Sequence, residues 1–164
     1  MTTKALNLLR QNRDTYGAEY ENHLFGQYKL YVEMADRVSA RRMLANSFFV
    51  GVHTTLIVAF AVLIKEDVVK PVWLIIAPFF ALMLFCFVWE RVVHSYRQLN
   101  SGKYKVVHLL EQMLPVAPYD AEWIALGRGK DKKLYRPLTR VEQWVPRCFA
   151  LLYILLAGIL YFKG

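Results

Sequence analysis

Cysteine is nearly absent. Cys86 and Cys148 are the only two in 164 residues, and both sit inside apolar runs, so no disulfide framework is expected. Each reads as a small buried hydrophobe. Metal and catalytic signatures are missing as well. His23, His53, His94 and His108 are scattered, with no H-x-x-x-H pair and no C-x-x-C, which leaves a metal site unsupported. There is no phosphate loop of the G-x-x-x-x-G-K-[ST] type and no G-x-S-x-G elbow. A ribonuclease that brings an arginine and a histidine together from a four-to-six-residue spacing is excluded too, because Arg91 and His94 stand only three apart. Glu90 and His94, at i and i+4, read as a helix-surface contact. Neither an enzymatic activity nor a cofactor is expected. Acidic charge is the last scarcity: Asp and Glu number 13 against 21 Lys and Arg, for a net charge of +8.

What the chain has in quantity is apolar surface, at 56% of residues. A basic soluble protein gathers lysines on a polar surface, whereas here basic and apolar residues occupy separate segments. Residues 43–64 carry no charge over roughly 22 positions, about 33 Å of helix, enough to cross a bilayer. The run starts too far along, and is too long, for a cleaved signal peptide. No glycine follows Met1, so myristoylation is not expected. Residues 72–89 make a second span after a short loop, with Pro78 expected to kink it. Residues 148–162 form a shorter third run that crosses if Trp144 lies among the headgroups. The expected organisation is a cytoplasmic helical segment at 1–42, a transmembrane hairpin at 43–89, a cytoplasmic helical segment at 90–144 and a third transmembrane helix at 145–164. Lys and Arg orient it. They are dense before 43 and between 90 and 147, and sparse in the loop at 65–71 and at the C-terminus, so the N-terminus is expected in the cytoplasm. Arg37, Arg41 and Arg42 mark the membrane boundary, held by anionic headgroups.

In the N-terminal segment, Leu24, Tyr28, Tyr31, Ala35 and Val38 recur in steps of four and three, a coiled-coil-like seam. It suits either the chain's own second cytoplasmic segment or a neighbouring subunit, and assembly is the preferred expectation. Glu33 and Arg37 support that helix at i, i+4. Beyond the second span the helix is expected to run on to Asn100-Ser101-Gly102, stop, and restart at Lys103. Asp120 is a candidate N-cap for a short element carrying Trp123. GRGKDKK, residues 127–133, reads as a basic loop with no apolar anchor. Thr139 and Glu142 fit a capping box opening the third run, which Pro146 should then bend.

The first span carries polar and small residues. Asn46 and His53 share one stripe, and Ser47, Gly51 and Thr54 the adjacent one. A titratable ring at membrane depth avoids lipid. Two readings follow: a neutral His53 hydrogen-bonded to a neighbouring helix, or a polar face of Asn46, Ser47, Gly51, His53 and Thr54 lining an aqueous path.

The blocks YVEMADRVSARRMLANSFF, WERVVHSYRQLNSGKYKVVHLLEQMLP, EW and YRPLTRVEQWVPR resemble the signature blocks of the RipA-type octameric membrane proteins, from about Tyr28 to Arg147. That family resembles the membrane accessory protein of type VI-B CRISPR systems. The resemblance implies an inner-membrane homo-octamer with a central pore, which in the CRISPR members depolarises the membrane and strengthens anti-phage defence beside an RNA-guided nuclease. The expectation is an all-α integral membrane protein with two to three transmembrane helices and a small helical cytoplasmic part, forming a homo-oligomeric ring. Its partners would be the lipid bilayer and other copies of itself, without direct nucleic-acid binding. The alternative is a non-conducting tethered module that binds RNA or a protein through residues 127–133, Tyr135 and Arg136.

Overall fold

The computed structural model describes residues 8–65, 73–131, 133–135 and 138–163. All regular structure among them is helical: α1 (Arg13–Tyr16), α2 (Tyr20–Lys65), α3 (Trp73–Glu111), α4 (Pro118–Ala125), a single 3-10 turn (Gly127–Gly129), α5 (Leu138–Glu142) and α6 (Trp144–Lys163). The chain divides into two compact units. One comprises Met1–Ser39 with Gln98–Arg136, the other Ala40–Arg97 with Pro137–Gly164.

The second, hereafter the membrane unit, takes the apolar part of α2, the first part of α3, and α5 with α6. α2 and α3 are long and apolar enough to cross a bilayer, and only 11% and 22% of their most apolar stretches are buried. The core helix of a soluble protein would be mostly covered, so this exterior suits lipid or other copies. At 20 residues, α6 is about 30 Å long, close to the hydrocarbon thickness. Phe49, Trp89 and Val93 form one core cluster, with Phe49 stacked on Trp89 at 5.4 Å. Leu82, Cys86 and Tyr153 form another. Cys148, expected to be buried, is exposed on the outside of the unit.

Several local expectations change. α3 passes through Pro78 and Gly102 as one helix instead of stopping at residues 100–102. Lys103, Val107, Leu110 and Glu111 beyond the glycine are all buried, and that burial outweighs a glycine penalty of about 1 kcal/mol. The Thr139–Glu142 box does not open the third run. α5 ends at Glu142 and α6 begins at Trp144, because Pro146 has no N–H for the Glu142 carbonyl. Pro146 then sits in the first turn of α6, where no donor is missed. The Thr139 side chain, residues 66–71 of the loop, Lys132 and Arg136 lie outside the described residues.

Candidate functional site

His53 is the centre of the membrane unit, with none of its surface exposed. Its Nδ1 lies 2.6 Å from the Tyr153 hydroxyl on α6, and its Nε2 lies 3.9 Å from Cys86 Sγ on α3. Trp89 stacks on the imidazole at 5.6 Å, and Phe149 covers it at 5.1 Å. Both ring nitrogens are served in either tautomer. With Nδ1 accepting from the tyrosine hydroxyl, Nε2–H faces the sulfur; with Nδ1–H donating to the tyrosine oxygen, Nε2 accepts from the thiol. The Trp89 indole N–H donates to Asn46 Oδ1 at 2.9 Å. The network joins α2 to α3 and α6 inside one protomer.

The five residues expected on one polar face are therefore divided. Asn46 and His53 point into their own protomer, while Ser47, Gly51 and Thr54 are exposed on its outside. The wheel explains the split. Asn46 and His53 are seven apart and share an angle, and the second row is offset by about 100°. Gly51 stands in open space, with nothing within 4 Å of where a Cβ would lie.

One end of the same unit carries three charged or polar contacts. Arg42 and Glu142, 11% and 13% exposed in their side chains, stand 3.2 Å apart. Arg147 Nε donates to Glu90 Oε1 at 2.9 Å, and Arg97 donates to Gln143 Oε1 at 3.3 Å. Glu90 thus takes Arg147 as its partner instead of the expected His94. The three boundary arginines differ: Arg42 is buried, Arg41 is exposed, and Arg37 is exposed and bonded to Glu33 at 2.6 Å.

In the first unit, part of the Leu24–Tyr28–Tyr31–Ala35–Val38 seam packs inside the protomer. Leu24 and Ala35 are buried, Lys103 Nζ lies 4.6 Å from the centre of the Tyr31 ring, and the Tyr28 hydroxyl donates to Glu111 Oε1 at 3.1 Å. Glu111 was missed at the sequence level. Its buried carboxylate also accepts from the backbone N–H groups of Tyr119 and Asp120, at 2.8 and 3.0 Å, so it caps α4 in place of the expected Asp120. Burial and the Glu111 carboxylate push the Tyr28 phenol up to about 12. A cleft of about 450 Å³ opens between Tyr28, Val32, Glu33, Asp36, Tyr104 and Tyr119. Burial raises the Tyr104 phenol pKa as well, helped by the Tyr119 ring and nearby carboxylates.

The basic loop does have an apolar anchor. A Cβ on Gly129 would lie 2.8 Å from the Trp123 ring, and Gly127, Arg128 and Gly129 all have positive φ. Spacing gave no sign of either Glu111 or this turn, since their partners lie on other elements.

A model of the octameric membrane protein family (8xMP) matches residues 25–162. Neither the curated proteins nor the solved structures include a match. The matched stretch covers α3 and nearly all of α2 and α6, so the chain belongs to the octameric membrane protein family, as a membrane protein that assembles with copies of itself.

Proposed function

We propose that the oligomer is an octameric pore in the bacterial inner membrane, with the N-terminus in the cytoplasm, and that it depolarises the membrane when activated. The role in mind is that of an anti-phage effector or accessory to an RNA-guided CRISPR nuclease, as the resemblance to the type VI-B accessory protein suggests. The activity is conduction, not catalysis.

The observation that carries this reading is the outward row Ser47, Gly51 and Thr54. Its neighbours on the exposed surface are Met43, Leu44, Phe48, Val50, Leu56 and Val58, which suit lipid or apolar packing. Two hydroxyls and a glycine amid them suit a lumen or a close approach by another copy. Glycine in a helix interior costs about 0.5–1 kcal/mol relative to alanine, and the protomer itself gives no steric reason for Gly51. His53 and Asn46 hold the wall together from within.

The test is membrane potential in cells that express the protein, with and without phage or an active CRISPR target. Depolarisation requiring both the protein and the trigger is expected. An intact potential with the protein confirmed in the membrane would overturn the pore.

A second reading rests on the three consecutive positive-φ residues at 127–129, braced by Trp123. A turn fixed in this way displays Arg128 and Lys130 to a partner, as the tethered module requires. Steep salt dependence of RNA binding, without depolarisation, would favour it.

A further inference from the structure

We propose that the cleft of the first unit binds a small alkylated ammonium ion, such as a trimethylammonium group, among the rings of Tyr28, Tyr104 and Tyr119 and beside the carboxylate of Asp36. The site does not depend on whether the oligomer conducts.

The three tyrosines come from three helices, α2, α3 and α4, and each is half-buried. With Val32 they line a cleft of about 450 Å³, within the size range of small-molecule sites. One group pins two of them. Glu111, 2% exposed, accepts from the Tyr28 hydroxyl at 3.1 Å and from the Tyr119 backbone N–H at 2.8 Å. Tyr104 meets Tyr119 at 5.8 Å between ring centres and at 58°, so the two rings are tilted and do not close each other's faces by stacking. Walls fixed before a ligand arrives lose little freedom when it binds.

Charge selects the ligand. Lys29, on the rim, places its Nζ 4.3 Å from the centre of the Phe25 ring, and Arg37 is paired with Glu33 at 2.6 Å. Asp36, also in the lining, has no ion pair among the described residues. Burial raises the Tyr104 phenol, and Tyr119 and the Glu122 and Asp36 carboxylates push it the same way, so a cation is favoured beside it. A metal ion would need several oxygen or nitrogen ligands, and no group of three His, Cys, Asp or Glu that could hold one occurs among the described residues. A bare ammonium would seek more acceptors than one carboxylate and three phenols offer. A cation wrapped in methyl groups asks for less: ring faces and one counter-charge satisfy it.

The test uses the full chain purified in dodecyl maltoside, with choline as the probe. Saturation transfer from protein to the choline methyl protons is followed by NMR at constant ionic strength. The neutral isostere 3,3-dimethylbutan-1-ol, which has the same shape without the charge, is the control. Choline should saturate with a Kd of about 1 mM, and the isostere should bind at least about tenfold more weakly. Tyr104→Leu should weaken choline about tenfold and Asp36→Asn about threefold, while Tyr104→Phe, which keeps the ring, should leave it unchanged. Asp36 is exposed, so its variant reports on binding even if Tyr104→Leu fails to fold. Equal binding of choline and its isostere, transfer that does not saturate, or Asp36→Asn binding as the parent does would each overturn the proposal. Repeating the titration in phosphatidylcholine nanodiscs separates two sources of the same group. Choline binding that persists there assigns the site to a free solute, and binding that disappears assigns it to a lipid headgroup.

Discussion

Tyr153→Phe removes one hydroxyl from the interior of the membrane unit and nothing else. The lost contact is the 2.6 Å bond to His53 Nδ1, in a site where no water competes. A neutral hydrogen bond contributes about 1 kcal/mol, and orphaning a buried partner costs about 1–3 kcal/mol. Interhelical bonds in membranes run lower, about 0.6 kcal/mol on average and about 1.7 at most. The imidazole is enclosed on all sides and cannot turn to solvent, so the upper membrane figure governs, about 1–2 kcal/mol. The assay is equilibrium unfolding in mixed micelles of increasing SDS fraction, followed by tryptophan fluorescence, since Trp89 stacks on His53. Tyr96→Phe, half-buried in the same unit, is the control and should change stability by less than about 0.5 kcal/mol. Pairing Tyr153→Phe with His53→Phe closes a double-mutant cycle, with an expected coupling of about 1 kcal/mol. Equal effects of the two tyrosine variants, or a coupling near zero, would refute the reasoning.

Glu111→Ala should release α4 by stripping its two N-terminal caps, a loss of about 2 kcal/mol, visible as faster amide exchange over 118–125 than over the rest of the first unit. Gly129→Ala forces a Cβ against the Trp123 ring at a positive φ and should cost more than about 1–2 kcal/mol, read from a shift in Trp123 emission. Arg42→Ala leaves Glu142 buried without its cation and should destabilise far more than Arg37→Ala, whose exposed i, i+4 pair is worth about 0.3–0.5 kcal/mol; thermal unfolding of both variants makes the comparison. Because the folded Tyr28 phenol is raised to about 12, its bond to Glu111 contributes fully below the ordinary tyrosine pKa, about 10, and is lost as pH rises through 12. Absorbance at alkaline pH should show a late-ionising component that Tyr28→Phe removes.

The helical class and the membrane segments were legible because they depend on composition and period. A run without charge at 43–64 reads the same whatever packs on it. The seam was legible as a pattern, but its partner was not. Leu24, Tyr28 and Ala35 present the same periodicity to a neighbouring subunit as to the chain's own α3, and the contacts of Tyr31 with Lys103 and of Tyr28 with Glu111 come from positions far along the chain. His53 shows the same boundary. Its depth in the span announced a polar contact, while Tyr153, 100 positions away, carries no local mark of being the partner. Gly102 misled because helix-stop propensity is a local cost, and the burial that overcame it is distant in sequence. Pro146 was read correctly as a perturbation and misplaced in effect, since it separates α5 from α6 instead of bending one helix.

The central claim is that Ser47, Gly51 and Thr54 face a conducting lumen while His53 stays inside the wall. Cysteine substitution at each position, in the Cys148→Ser background, tests it directly in membrane vesicles that contain the assembled oligomer, prepared from cells in which the trigger is active. Ion flux is recorded before and after a water-soluble, membrane-impermeant thiol reagent. Flux that falls on modification at 47, 51 and 54, and stays unchanged at 53, is the predicted result. Flux indifferent to the reagent at all three outward positions, with the oligomer intact, would contradict the account.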